Sequence, residues 1–488
     1  MPKIAISRLT FAYPGEHNLF TDLTLNIDLS WKLGLIGRNG RGKTTFLKLL
    51  EGELPSRGSV SAPFPLEYFP SPILNPELSP LELASLKTGE SELGWCLNRE
   101  VSLLGVAPEA LERPFATLSG GERVKILLSL LFLRDATFPL LDEPTRFLDA
   151  TSARAVAAYL RSKPGFILVS HDRELLDSSI DHVLALEETD AVLNKGDFSA
   201  YWENRRLREE KALAVKERLR KDIKRLDEAA KRSAKWASQA EKGKYGQGPV
   251  DRGHVGRLAA KGQRRSQNVE NRRLKALAEK RELRVREEKP ASLAFTPLPF
   301  RGGLMAWLKD ATLGYGDRKV LENISLSLAS GDRLAVTGPN GSGKTLLLKL
   351  FTGETRVQAG EFYLPPSLVV SAVPQEPAFG ANDLSELARI SRVDEPKFNA
   401  ILRQIGFARE WLARPISSLS QGSRKKVALA LSLCASAHLY VWDEPFGHVD
   451  LETRMKIEEL IIKNKPTLVV VEHDSTFLKN VATFTFSL

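Results

Sequence analysis

Gly37-Arg38-Asn39-Gly40-Arg41-Gly42-Lys43-Thr44 recurs as Gly338-Pro339-Asn340-Gly341-Ser342-Gly343-Lys344-Thr345. Lys43 and Lys344 are 301 residues apart, and the same offset carries Ser119 to Ser420, Asp142 to Asp443 and Asp149 to Asp450, while His171 and His473 are 302 apart. Five landmarks that keep one spacing to within a residue make the chain two homologous halves joined by an inserted segment. In each half an apolar run (Lys32 to Ile36; Arg333 to Thr337) enters the glycine-rich loop, and a run of helix formers (Thr44 to Leu50; Thr345 to Phe351) leaves it. That order is strand, phosphate loop, helix. A helical stretch after Ser119, a buried strand ending at Asp142 and another strand, Phe166 to Val169, continue the alternation. It predicts an α/β fold with a largely parallel sheet covered on both faces.

The glycines Gly37, Gly40 and Gly42, with Gly338, Gly341 and Gly343 in the second copy, let backbone amides curl around a phosphate at the positive end of the following helix. Asn39, Thr45 and Asn340 belong to the same phosphate-binding set. Lys43 or Lys344 then reaches the outer phosphates, and the hydroxyl of Thr44 or Thr345 ligates magnesium. Each half next carries an apolar strand ending in an acidic pair, Asp142-Glu143 and Asp443-Glu444. The first carboxylate can hold magnesium and the second can polarise an attacking water, although a strand-end acidic turn would look the same. Leu118-Ser119-Gly120-Gly121-Glu122 opens a helix with a serine and bare amides, a second anion site that needs a phosphate from elsewhere. Its copy is Ser420-Gln421-Gly422-Ser423. His171 and His473, each followed by Asp at the end of an apolar strand, are placed to hydrogen-bond a terminal phosphate. ATP and Mg2+ are the expected cofactors.

At 488 residues with 42% hydrophobic content the chain suits two or three domains. No apolar run approaches the roughly 20 residues of a membrane-spanning helix, and the N-terminus lacks a charged-then-apolar leader pattern. Two cysteines, Cys96 and Cys434, exclude a disulfide framework, a zinc ribbon and an iron-sulfur cluster. A reducing cytoplasm is the expected location.

Charge is uneven. The chain has a net charge of +10, yet Tyr201 to Pro290 alone holds 28 Lys and Arg against 14 Asp and Glu, a net of +14. That concentration is the footprint of a partner rich in phosphate. From Glu203 to about Lys242 there is no proline, and Leu219, Ile223, Leu226 and Ala230 keep a helical spacing. A second helix is expected from about Val255 to Glu288, with a glycine-rich break at 243–253 between them. The segment therefore reads as a helical hairpin. Its distal part, Lys231 to Lys275, has 13 basic and three acidic residues, with Trp236, Tyr245 and His254 interleaved in a pattern that suits stacking on RNA bases. The expected domains are 1–200, 201–304 (tip about 243–256) and 305–488.

Over residues 1–200 and 305–488 these motifs resemble the ATP-binding cassette superfamily. The resemblance implies that the two cassettes pair head to tail within one monomeric chain and sandwich two ATP molecules. Lys43, Thr44, Asp142, Glu143 and His171 would then work with Ser420 and Gly422, while Lys344, Thr345, Gln375, Asp443, Glu444 and His473 would work with Ser119 and Gly121. Tyr13 and Tyr315 match the aromatic that stacks on adenine, and Gln375 matches the glutamine that senses magnesium and water. Ser71 stands where the first copy should carry that glutamine, and Ser423 stands where Glu122 does. Both departures fall on the site built on Lys43, which is expected to turn over more slowly.

Tandem cassettes around a long basic hairpin, with no membrane domain, resemble the ABC-F family of ribosome-associated ATPases. Trp31-Lys32-Leu33-Gly34-Leu35-Ile36 leading into the first loop, Arg113-Pro114-Phe115, Phe166-Ile167-Leu168-Val169-Ser170-His171-Asp172-Arg173 and Lys244-Tyr245-Gly246 look like its Lsa-type antibiotic-resistance branch. This likeness implies ATP-dependent entry into the ribosomal tRNA exit site. The Lys231 to Lys275 region would contact rRNA and P-site tRNA, and the tip would displace lincosamide, pleuromutilin or streptogramin A drugs near the peptidyl-transferase centre. Arg146-Phe147 replaces the family's Asn-His, the second copy reads Phe446-Gly447-His448, and the tip is shorter than in Lsa-type relatives. A housekeeping translation factor without a drug role is the alternative. A transporter's ATPase subunit is a more distant one, because such a subunit has no use for a +14 hairpin.

Overall fold

The computed structural model describes residues 2–15, 18–73, 75–88, 94–133, 137–145, 148, 150–187, 191–242, 264, 268, 271–272, 274–275, 296–339, 341–407, 409–447, 449–472 and 474–488. The chain divides into two compact units, residues 1–201 with 291–488, and residues 202–290. Asp149, Arg146, Phe147, Asn340, His448 and His473 lie outside the described residues, as do the expected hairpin tip and Tyr245 and His254.

In the first half, β1 (Lys3–Phe11), β2 (Phe20–Asp28) and β4 (Arg57–Ser61) form an antiparallel sheet in the order β2-β1-β4. The main sheet runs β5 (Leu66–Phe69), β6 (Phe138–Asp142), β7 (Phe166–Val169), β3 (Lys32–Ile36), β8 (His182–Leu186), β9 (Ala191–Lys195). Its neighbours are parallel except β8 and β9. Helices α1 (Lys43–Glu51), α2 (Pro80–Thr88), α3 (Gly94–Leu103), α4 (Gly120–Leu131), α5 (Ala150–Ser162) and α6 (Arg173–Ser179) connect these strands, and α7 (Phe198–Lys242) follows them.

The second half repeats the plan. Its antiparallel sheet is β11 (Arg318–Ala329), β10 (Leu304–Tyr315), β13 (Ala359–Tyr363). Its main sheet is β14 (Val370–Val373), β15 (Leu439–Asp443), β16 (Thr467–Val471), β12 (Arg333–Thr337), β17 (Phe484–Ser487), parallel throughout. The helices are α8 (Lys344–Thr352), α9 (Leu384–Ile390), α10 (Glu395–Gln404), α11 (Gln421–Cys434), α12 (Leu451–Asn464) and α13 (Ser475–Val481).

Pleat alternation covers both faces of the main sheet. Tyr440, Trp442, Leu468 and Val470 pack with α11 in one core, and Leu439, Val441, Val469 and Val471 pack with Leu347 and Phe351 of α8 in another. The separate antiparallel sheets depart from the expected largely parallel arrangement. Their alternation is hidden in the sequence: in β1, Ile4 and Ile6 face the core, but a register shift beside Arg8, at φ +49°, puts Leu9 and Phe11 on that side instead.

Helix α7 starts five residues before Glu203, because the Asp197 carboxylate accepts the Ala200 N–H at 2.8 Å and caps it. Its 45 residues correspond to about 68 Å. The described residues 264, 268, 271–272 and 274–275 are helical, within the range expected for the second helix. No helix among the described residues is long and apolar enough to cross a membrane. Cys434, on α11, lies in the core with Tyr440 and Trp442 at 8% exposure, and burial pushes its thiol up to about 11, whereas Cys96 is partly exposed. At pH 8 a maleimide should therefore label Cys96 rapidly and Cys434 only after denaturation. Equal rates for the two thiols would contradict this packing.

Candidate active site

Each phosphate loop sits between a central strand and a helix, and its shape depends on left-handed glycines. Gly42 (φ +80°) and Gly343 (φ +97°) are the residues from which α1 and α8 start. A Cβ at Gly42 would lie 2.5 Å from Leu19 Cδ2, so glycine is needed there for space as well as for backbone conformation. The lysines fold back onto their own loops. Lys43 Nζ donates to Gly37 O at 2.7 Å, and Lys344 Nζ donates to Gly338 O at 2.9 Å and Pro339 O at 2.8 Å. Burial holds the Lys43 ammonium below the usual lysine range, against the charges of Asp450, Glu143 and Asp142.

Thr44 Oγ1 donates to Asp142 Oδ2 at 2.6 Å, and Thr345 Oγ1 donates to Asp443 Oδ2 at 2.8 Å. Hydroxyl and carboxylate oxygens are the hard donors Mg2+ prefers. One carboxylate and one hydroxyl per site suit an ion that keeps its waters and takes phosphate oxygens. Among the described residues no cluster of three or more His, Cys, Asp or Glu forms a self-sufficient metal cage.

Glu143 (φ +52°) and Glu444 (φ +48°) both adopt left-handed backbone, held by Glu143 N to Val169 O and Glu444 N to Val471 O, each 2.9 Å. Strained backbone at equivalent carboxylates in both halves is characteristic of functional positions. Burial, with the Asp142 charge second, pushes the Glu143 carboxyl up to about 7. His171 Nε2 lies 3.5 Å from Glu143 Oε1. Tyr13, 39% exposed, shares a hydrogen bond with Thr45 Oγ1 at 3.0 Å, and Tyr315 is 59% exposed at the end of β10.

Ser119 caps α4 in a reciprocal box with Glu122: Glu122 N to Ser119 Oγ at 3.3 Å and Ser119 N to Glu122 Oε2 at 2.8 Å. Ser420 caps α11 through Ser423 N at 3.2 Å, where the serine at 423 leaves no acidic partner for a box. Gly120, Gly121, Gln421 and Gly422 open these two helices. The Gln375 side chain is exposed beyond β14, and its backbone oxygen accepts from Lys425 Nζ at 3.2 Å.

A cavity of about 830 Å³ brings Tyr13, Lys43, Thr44, Asp142, Glu143 and His171 of the first half against Glu444, Phe446, Arg454 and Glu472 of the second. The described lining includes no residue of either serine-capped loop. Several residues that hold the halves together escape sequence reading. Arg38 donates to Gln404 O at 2.9 Å, satisfying the C-terminus of α10. Arg173, 5% exposed, pairs with buried Glu458, and Ser475 Oγ donates to Glu174 Oε2 at 2.6 Å. At the repeat offset Arg38 is matched by Pro339, Arg173 by Ser475 and Glu458 by Ala157. The mismatch between copies is the signal that would have found them.

Fold and site together define a nucleotide hydrolase with two phosphate loops. The family model described as ABC transporter matches residues 20–146 and 321–447. The chain belongs to this ABC family and is an ATPase. It is 29% identical, over 96% of its own length and 76% of the relative's, to the probable ATP-binding protein YheS of Escherichia coli O6:H1. It is 28% identical to the ribosome protection protein VmlR of Bacillus subtilis, over 95% of this chain and 83% of that protein. Among solved structures it resembles an archaeal ribosome recycling factor, aABCE1, crystallised with the stalk protein aP1. That likeness has a TM-score of 0.60 at 20% identity, with 99% of this chain and 87% of the other covered. It concerns the fold.

Proposed function

We propose that this protein is a ribosome-directed ATPase of the ABC-F kind. ATP with Mg2+ draws the two cassettes together, so that Ser420 and Gly422 complete the site of Lys43 while Ser119 and Gly121 complete that of Lys344. Thr44 with Asp142, and Thr345 with Asp443 and Gln375, hold the ion. Glu143 and Glu444 act as general bases, His171 and His473 steady the terminal phosphate, and Tyr13 and Tyr315 stack on adenine. In this closed form the Lys231 to Lys275 region enters the ribosomal exit site against rRNA and P-site tRNA, and hydrolysis releases it. Counteraction of lincosamide, pleuromutilin or streptogramin A drugs is the proposed outcome.

The observation that carries the reading is the net +14 segment set between two cassettes whose loops share one geometry. The similarity to VmlR, named for ribosome protection, supports the direction. The test is co-sedimentation with ribosomes of a Glu143→Gln, Glu444→Gln double variant. ATP should retain it on ribosomes, and salt should strip it off with a steep dependence. Failure to co-sediment in ATP at low salt would reject the proposal.

A further inference from the structure

The first site lacks the glutamine found at Gln375 and carries Ser71 instead, yet its magnesium-holding carboxylate is not left with Thr44 alone. Tyr68, three residues earlier on β5, donates its phenol to Asp142 Oδ2 at 2.9 Å, the same oxygen that accepts Thr44 Oγ1. Ser71 Oγ in turn donates to Tyr68 O at 2.6 Å, which ties the substituted position to the tyrosine's own backbone. Among the described residues the second site has no counterpart. Tyr68 pairs in register with Leu140, and its equivalent, Ala372, pairs with Val441, 301 residues after Leu140. A methyl group there cannot reach Asp443. That half instead places Lys425, matched by Val124 in the first, on the backbone of Gln375.

We infer that Tyr68 is a positioning residue for the magnesium of the first site, taking over from β5 the task that Gln375 performs in the second. Its phenol fixes the rotamer of Asp142 and presents the carboxylate's other oxygen to a water of the hydrated ion. A hydrogen bond from a neutral donor to a charged carboxylate is among the stronger ones. Its loss should be read in the ion's occupancy before it is read in the fold. This inference rests on the assignment of Thr44 and Asp142 to magnesium.

The experiment uses the full chain with Lys344→Ala to silence the second site, and a fluorescent ATP analogue titrated with Mg2+. Tyr68→Phe, which keeps the ring, should raise the Mg2+ midpoint about tenfold and leave Mg2+-free nucleotide binding and the melting temperature nearly unchanged. Tyr159→Phe removes a buried phenol from Glu100, neither residue lining the cavity, and should lower the melting temperature without moving the midpoint. An unmoved midpoint in Tyr68→Phe, or an equal fall in Mg2+-free binding, overturns the inference. Asp142→Asn in the same background separates the layers. If it shifts the midpoint while Tyr68→Phe does not, only the role of Tyr68 fails; if it does not shift it, the magnesium assignment itself fails.

Discussion

Glu444→Gln is expected to lower ATP turnover at its own site by roughly 100-fold or more, the usual worth of a positioned general base, so that steady-state turnover falls to the slower rate of the Lys43 site, while Glu143→Gln keeps most of the activity. The inequality follows from where the two copies differ. The site built on Lys344 carries Gln375 after β14, and the Ser119 loop proposed to complete it has a Glu122 box that fixes the helix N-terminus. The site built on Lys43 has Ser71, and the Ser420 loop proposed to complete it lacks that box. Its phosphate loop is also bound through Arg38 to the end of α10, so opening there means breaking a contact that the other site, with Pro339, never makes. Both Gln variants keep side-chain volume and the left-handed backbone, so the comparison isolates the carboxylate. The reverse result, with Glu143→Gln abolishing turnover and Glu444→Gln sparing it, would invert the assignment.

Replacing Lys231, Arg232, Arg264 and Arg272 together by Gln should weaken ribosome binding of the double Glu→Gln variant by roughly a thousandfold at 0.1 M salt. All four are exposed, so the exchange leaves no buried charge unpaired. Each phosphate contact contributes about 0.7 to 0.9 to the slope of log affinity on log salt, and each unit of slope is worth about tenfold at 0.1 M relative to 1 M. Four contacts thus flatten the slope by about 3. In the chain with Glu143 and Glu444 intact, the same four replacements should leave ATP hydrolysis without ribosomes unaffected. An unchanged salt slope would mean that these cations face solvent only, the ordinary fate of a charge run on a long helix.

The repeat made the cassettes legible, because a loop that must wrap a phosphate permits few residues and the offset of 301 exposed the second copy. The residues that enter the phosphate loop predict a strand over Lys32 to Ile36, and it is found there. The antiparallel sheets were not legible: bulges beside Arg8 and Asp310 break the alternation that would have announced them. The sequence pattern places the start of α7 five residues late, since Asp197 as its cap lies before the charged run. The side chains that make the cassettes unequal, Tyr68, Arg38, Arg173 and Lys425, are marked in the sequence only by a mismatch between the copies, and what each one binds is set by the tertiary fold. The buried Arg173–Glu458 pair is of this kind. Removing one partner typically costs about 3–5 kcal/mol, because the other charge remains buried.

The Arg38 contact also has a place in time. Its acceptor, the carbonyl of Gln404, lies 366 residues further along the chain. At about 5–20 residues per second the acceptor is synthesised some 20 to 70 s after the donor. The N-terminal cassette is therefore synthesised in full before that acceptor exists. Whatever the late contact contributes is added to a domain already formed, so it governs the mating of the two lobes and leaves the birth of the first untouched.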